Sequence, residues 1–589
     1  MSSPSRWKRL RHRLYHAYYR FKYFPFAAER RMRQERADRG FIVLQIDALS
    51  CDDLLQAVEK GYAPNLKKLL HREDWELRPY SAGLPSATPA AQAAIFFGTK
   101  EDIPAFRFYE KADRRLIVGS KPADVQRIRD RLPRSGILDG GSGYVNIYDG
   151  GADRAVFTIA AKEPQRFLQK MGGGRLALLL LVHPLRVLRL LVASVWEYLR
   201  EEVLRLWSQI RGQYTYHWWY LPFLHIATNV VLRELQTLAV LLDIYAGVPS
   251  IYTTYNVYDE FAHHYGPQSR TAYSSVASFD RRVGEIRRML RRVPGRPYDL
   301  YILSDHGQTP SIPYRVAYGE TLGETIVGAA EHGVFVMAGR GDYAPEREEI
   351  MDFLVQELEE VSAESMLPAR EAGLGLGRWI RRHYNPFPLV AETARESEDT
   401  RLVVTYSSSL AHVYWTEPDH PLTLEEIRED RDRRSLYYFL VAHGGIGCVI
   451  TRMLDGAHVE NMRGRALVTA AGDLEILDGE NPLQDYADTP AEQRAVADLV
   501  RMKNAGDMIL FGAYDPEKQQ CICFDDQIGA HGALGGRQAW PFIMAPRGLV
   551  PEGYVIEDPL DLHPLFRRYT NEPEDESIRL VTEERRATT

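Results

Sequence analysis

Residues 41–46 read FIVLQI, a short apolar run that stops at Asp47. An apolar run of this length without alternation is the pattern of a strand covered on both faces, as in a parallel sheet. Similar runs recur at 250–254, 300–303, 334–338 and 541–545. Helical patterns lie between several of them, at 63–71 with Pro64 in its first turn, at 278–292 and at 345–361. Strands alternating with helices predict an α/β fold on a mainly parallel sheet flanked by helices. In such sheets ligands bind beyond the carboxyl ends of the strands, which is where Asp47 and Asp305 fall.

Two stretches interrupt this alternation. Residues 166–247 are rich in Leu, Val and aromatics and include LALLLLV at 176–182, but His183, Pro184, Arg186 and Arg189 break the run. No charge-free run approaches the ~20 residues that cross a bilayer. A pair of long helices is expected, their apolar faces either packed on each other or lying at a membrane interface, with Trp218, Trp219 and Tyr220 at headgroup level. Residues 364–515 mix short strands at 402–406, 412–415 and 448–453 with a helix at 422–440, the pattern of an α+β cap. The expected organisation is an amphipathic basic arm (1–38), a main domain (39–363) carrying the helical insertion, the cap (364–515), a return to the main domain (516–570) and a charged, disordered tail (571–589).

At 589 residues the chain exceeds one simple core. Its net charge of −7 names no partner, but the distribution is uneven: residues 1–36 carry eleven Lys/Arg against Glu29 and Glu35. Aromatics (Trp7, Tyr15, Tyr18, Tyr19, Phe21) are interleaved with them, so the arm reads as a solvated basic helix or as an anchor on an anionic membrane surface. Specific nucleic-acid binding is not expected. Cys51, Cys448, Cys521 and Cys523 make no disulfide framework, and the N-terminus lacks a secretory h-region. Both point to a cytoplasmic protein, peripheral to the inner membrane face if the arm anchors it.

The chemistry-bearing residues fall in separate motifs. IDAL sets Asp47 at a strand end. PSATPAAQAAIFFG (85–98) sets Thr88 before Pro89 and an Ala-rich run, a helix N-terminus where free N–H groups favour a phosphate. YDEFAHHYGP places Asp259 at the end of a strand with His263 four residues on, one face of a helical turn, while His264 and Glu260 point elsewhere. LSDHG sets Asp305 beside His306, which converge only if the chain turns at Gly307. GAHGALGG puts His531 in a glycine-rich loop. Each has a plain structural reading, Thr88 and Asp47 as helix caps above all. Together, three carboxylates and three imidazoles in such settings suit two divalent ions, zinc or manganese, clamping a phosphoryl group. His412 in LAHVYW and His443 in AHGGIG read first as structural residues, with a reach into the site as the alternative.

The order Asp, Thr, Asp-x-x-x-His, Asp-His, His resembles the type I phosphodiesterase/nucleotide pyrophosphatase branch of the alkaline phosphatase superfamily. YDEFAHH, LSDHGQ, LAHVYW, HGGIGCV and GAHGALGG further resemble a bacterial group of phosphodiesterase-like proteins, some with membrane segments. The resemblance implies an alkaline-phosphatase-like fold, with Asp47, Asp305 and His306 on one metal and Asp259, His263 and His531 on the other. Thr88 would bridge the metals and carry a covalent phospho-threonine in phosphate-ester hydrolysis. The chain departs from the family at Thr88-Pro89-Ala90-Ala91, and Phe106 stands where an Asn is expected. Arg107 beside it reads either as a substitute cationic donor to substrate or as a surface ion pair. Hydrolysis is the expected activity; the same site suits a phosphotransferase or mutase, and a membrane-attached scaffold with a vestigial site is the non-enzymatic alternative. A sulfatase is disfavoured, since Cys or Ser is missing at the nucleophile.

Overall fold

A computed structural model describes residues 39–100, 102–160, 184–210, 226–292, 296–330, 334–337 and 401–570. The expected arm (1–38), the LALLLLV run, Trp218–Trp219–Tyr220, the helix at 345–361 and the tail from 571 lie outside these residues.

The fold is mixed α/β, with a mainly parallel central sheet flanked by helices. Strand Gly40–Ile46 lies between Tyr298–Leu303 and Ser250–Tyr255 and pairs parallel with both. Ser142–Tyr144 and Arg154–Val156 extend the parallel part beyond Ser250–Tyr255. On the opposite edge, Phe542–Pro546 pairs antiparallel with Tyr298–Leu303, and Trp75–Pro79 antiparallel with it in turn.

All seven residues of Gly40–Ile46 are buried, as its continuous apolar run requires. Its two-residue period divides them between the faces of the sheet. Ile42, Leu44 and Ile46 pack with helix residues Leu54, Leu66, Val276 and Phe279. Phe41 and Val43 pack with Ala90, Ala93 and Phe96 of helix Thr88–Phe97. Gln45 continues this second face and accepts from Gln92 of the same helix at 3.3 Å. The next residue on that face is Asp47. The pleat therefore delivers Asp47 to the side where Thr88 begins its helix.

A second, eight-stranded sheet runs in the order Val334–Met337, Leu402–Ser407, Leu410–Trp415, Met508–Gly512, Ile446–Met453, Gly456–Asn461, Gly464–Thr469, Leu474–Gly479. The run expected at 334–338, which resembles the central strands in composition, is described at Val334–Met337, and this strand joins the second sheet by pairing parallel with Leu402–Ser407. An apolar run records burial on both faces, not which sheet supplies it. The helix expected over 422–440 is two helices, Leu424–Glu429 and Arg431–Ala442, divided where Asp430 caps the second by accepting from Asp432 and Arg433 N–H. A third sheet of four short strands joins Thr309–Pro313 to Gln520–Cys523 and Gly529–Ala530.

In the insertion, helix Pro184–Ile210 is followed, beyond an undescribed stretch, by a π-helical turn Ile226–Leu232 that runs into helix Arg233–Ala246. No helix among the described residues is long and apolar enough to cross a membrane.

Two buried histidines bear on stability. Gly506 N–H donates to His412 Nδ1 at 3.0 Å, and His563 Nδ1 lies 3.0 Å from the Ile95 carbonyl. Burial pushes His412 down to about 3 and His563 down to about 4. Their folded values lie below the unfolded one, so the unfolded chain binds more protons as pH falls. Stability is thus complete above pH ~6.5 and declines below it, by up to about 1.4 kcal/mol per pH unit for each histidine. Denaturation midpoints measured from pH 7.5 to 5 should show this decline, and His563→Gln should make it shallower.

Candidate active site

Three strand ends and two loops converge beyond the carboxyl ends of the central strands. Asp47 follows Gly40–Ile46, with its N–H on the Tyr255 carbonyl at 3.1 Å. The chain then turns through Ala48, whose φ of 62° is uncommon for a residue other than glycine. Asp305 Oδ1 accepts from Ala48 N–H at 3.3 Å, so one candidate ligand braces the turn that presents another. His306 follows Asp305 directly. Gly307 lacks a side chain for reasons of space: a Cβ there would stand 2.1 Å from the Arg537 carbonyl and 2.8 Å from Ser50 Cβ. Close approach to the 536–539 segment requires the glycine expected there for turning.

Asp259 lies within the first turn of helix Val257–Tyr265, two residues into it, whereas the sequence pattern set it at a strand end. The strand stops at Tyr255. The four-residue spacing has the expected consequence: His263 Nε2 lies 3.3 Å from Asp259 Oδ1. His264 and Glu260 are half-buried on other faces of this helix. His531 follows Gly529–Ala530, and that strand's pairing with Thr309–Pro313 carries it to His306. The two imidazoles stack with centroids 4.2 Å apart, and His263 lies 5.1 Å from His531.

The residues form two adjoining groups, Asp47–Asp305–His306 and Asp259–His263–His531, each offering ligand atoms within 4.8 Å of one another. The orientation of the rings is informative. His263 Nδ1 lies 2.7 Å from the Gly529 carbonyl, His306 Nδ1 3.0 Å from the Gly307 carbonyl, and His531 Nδ1 2.8 Å from the Ser86 carbonyl. A carbonyl only accepts, so each Nδ1 donates to its carbonyl and each Nε2 is turned toward the site. Backbone carbonyls commonly fix metal-binding imidazoles in this way.

The electrostatics point the same way. Burial, then Asp305 and Asp259, push Asp47 well above the usual carboxylate range. Asp305 Oδ2 is buried with no hydrogen-bond partner. Burial opposes charge on His263, but Asp259 raises it above its ordinary value, and Asp259 is held low by His263, His531 and His306 against its own burial. Burial, with His306 beside it, drives His531 far down. Buried carboxylates that repel one another, with imidazole Nε2 atoms turned toward them, suit divalent cations at both groups.

Thr88 opens helix Thr88–Phe97, as expected, but it is not the cap. That position is Ala87, which contributes no side-chain bond. The Thr88 hydroxyl lies 3.2 Å from Asp47 Oδ1 and 3.2 Å from His306 Nε2. Arg107 sits in an ion pair with Asp525 at 3.4 Å and donates to the Tyr406 carbonyl at 3.0 Å. Its guanidinium also lies over the Phe106 ring at 5.5 Å. His443 stacks near Tyr314 in the second sheet's surroundings.

Sequence reading gave no role to Gln308. Its Nε2 donates to Asp259 Oδ1 at 2.5 Å and to the Asp259 carbonyl at 3.2 Å. Adjacency to Asp305-His306 was its one signal. Ser86, Ser408 and Ser409 likewise carry no sequence signal, because only tertiary pairing brings them to His531, and Asp525 acts through Ser408.

Residues 197–365 match the family model described as type I phosphodiesterase/nucleotide pyrophosphatase. The resemblance is to phosphate-ester hydrolases. The matched segment holds Asp259, His263, Asp305 and His306, whereas Asp47, Thr88 and His531 lie outside it. No curated protein matches the chain. Among solved structures, phosphonoacetate hydrolase from Sinorhizobium meliloti 1021, in complex with phosphonoformate, is 13% identical over 91% of this chain and 96% of its own, with a TM-score of 0.42. An inactive variant of murine ectonucleotide pyrophosphatase/phosphodiesterase 5, in complex with AMP, is 10% identical over 91% and 97%, with a TM-score of 0.41.

Gly529 illustrates how narrowly His263 is held. A Cβ there would meet Gln308 Oε1 at 2.4 Å and the Ala262 carbonyl at 2.5 Å. Gly529→Ala should cost about 2 kcal/mol of stability and weaken divalent-metal binding, measured by thermal unfolding and by metal titration.

Proposed function

We propose that the protein is a two-metal phosphoesterase that hydrolyses phosphate esters, diesters first among them, through a phospho-threonine on Thr88. The observation that carries this is the Thr88 hydroxyl, free of any capping role and set 3.2 Å from both Asp47 and His306. Asp47, Asp305 and His306 would hold one ion, and Asp259, His263 and His531 the other. The mixed carboxylate–imidazole donors suit Zn2+, with Mn2+ the alternative. Such ions lower the pKa of a hydroxyl and offset charge on phosphoryl oxygens.

The chain's own groups supply positioning. Helix Thr88–Phe97 aims its N-terminus at the site, where unpaired N–H groups favour an anion. Thr88 Oγ attacks phosphorus as its proton passes by way of Asp47 Oδ1 to solvent. The phosphorus–oxygen ester bond breaks, and the departing oxygen takes a proton from solvent to leave as the alcohol. Water then cleaves the phospho-threonine, returning the hydroxyl and releasing the phosphate product. Arg107 stands as a candidate substrate contact. Its pairing with Asp525 favours a role in holding the loop of His531 as well.

Thr88→Ala should lower hydrolysis of an aryl phosphodiester by at least about a thousandfold while leaving bound Zn2+ unchanged. Unchanged turnover would sink the nucleophile assignment. Parallel assays on phosphomonoesters, phosphonates and nucleotide diesters rank the substrates.

Helix Pro184–Ile210 supports peripheral membrane association. Leu188, Val192, Trp196, Leu199 and Val203 form a stripe along one side and are 52% to 68% exposed. The opposite side is tied down: Glu197 is buried, Arg200 pairs with it at 2.7 Å, and the Arg200 guanidinium lies 4.9 Å over Phe261, between Asp259 and His263 in sequence. An apolar stripe with an exposed tryptophan fits an interfacial helix, and the basic N-terminal arm complements anionic lipid. Four buried free thiols accord with a reducing, cytoplasmic setting. In flotation with anionic vesicles the full chain should rise with the lipid. Trp196→Glu, or removal of residues 1–36, should reduce that fraction, and equal flotation of all three would count against the reading.

A further inference from the structure

The two residues between strands Leu402–Ser407 and Leu410–Trp415 are Ser408 and Ser409. Ser408 has a φ of 62°. Positive φ at the first position of a two-residue hairpin turn is ordinarily taken by glycine, which has no Cβ to crowd the backbone. Serine departs from that rule, and the contacts of its side chain give a reason.

Ser408 Oγ accepts from the His531 N–H at 3.1 Å. Ser409 N–H donates to the His531 carbonyl at 3.0 Å, and Ser409 Oγ lies 2.9 Å from the same oxygen. Both backbone polar groups of His531 are therefore held by this turn, while the Ser86 carbonyl takes the ring Nδ1 proton. The turn is itself pinned. Asp525 Oδ2 accepts from Ser408 N–H at 2.6 Å, and the Ser408 carbonyl accepts from Phe524 N–H at 2.7 Å. Asp525 is buried and pairs with Arg107, which also bonds the Tyr406 carbonyl on the first strand of the hairpin.

We infer that Ser408 is a positioning residue: it occupies a glycine position so that its hydroxyl can fix the His531 peptide, and with it the imidazole, at the second ligand group. The second sheet thereby shapes the metal-binding half of the site. This rests on the two-ion reading above. Glycine would satisfy the turn but leave the His531 N–H without its acceptor.

The test compares full-length wild type with Ser408→Gly and Ser408→Ala. Two readouts are used: amide hydrogen exchange in the peptide containing His531, and Zn2+ titration of the metal-stripped protein. Ser408→Gly should melt at the wild-type temperature or higher, because the strained φ is relieved. It should nevertheless exchange about tenfold faster at His531 and bind the weaker Zn2+ about tenfold less tightly, the range seen when groups supporting a ligand are removed. Ser408→Ala should show the same exchange without the rise in melting temperature. Wild-type exchange and wild-type Zn2+ affinity in Ser408→Gly would overturn the inference. A wild-type protein that binds no Zn2+ would overturn the two-ion reading, and faster exchange in Ser408→Gly would still support the contact.

Discussion

Three carboxylates and three imidazoles share one partly buried space, and that crowding is the constraint to which the surrounding structure answers. Like charges 4 Å apart repel by about 4 kcal/mol at an effective dielectric near 20. Burial, then Asp305 and Asp259, accordingly push Asp47 above the usual carboxylate range. A protein tolerates such a cluster when cations neutralise it, and when every donor is held so firmly that it cannot turn away. Three carbonyls on three Nδ1 atoms, and Gln308 on Asp259, supply that hold.

Three different devices bring the donors together. Parallel pairing of Gly40–Ile46 with both neighbours aligns their carboxyl ends, which places Asp47 and Asp305 side by side. The helical period joins Asp259 to His263. The small third sheet then carries His531 across more than two hundred residues of sequence to stack on His306. Each device is local in geometry, yet none completes the site alone.

Two strained turns lie where these devices meet. Ala48 and Ser408 both adopt positive φ without being glycine, and each is held by a buried aspartate, Asp305 in one case and Asp525 in the other. Such conformations persist only where the surroundings fix them from several sides. The arrangement also ties the second sheet to the site, since the serine turn at its edge grips the backbone of His531.

Much of this was legible in the sequence. The apolar run ending at Asp47 records burial on both faces, which helices supply in this sheet. The spacing of Asp259 and His263 is a property of the helix, and the adjacency of Asp305 and His306 needs no fold to be seen. Long-range pairing was not legible. The strand at Val334–Met337 has the composition of a central strand but joins the second sheet, because apolar residues encode burial and not partner. Ser408, Ser409, Asp525 and Gln308 look like ordinary polar loop residues, for their roles exist only where distant segments meet. Sequence alone determined which side chains are candidates for the site; the tertiary structure decided which atoms face it, since hydrogen-bond partners are set by contacts that sequence spacing does not record.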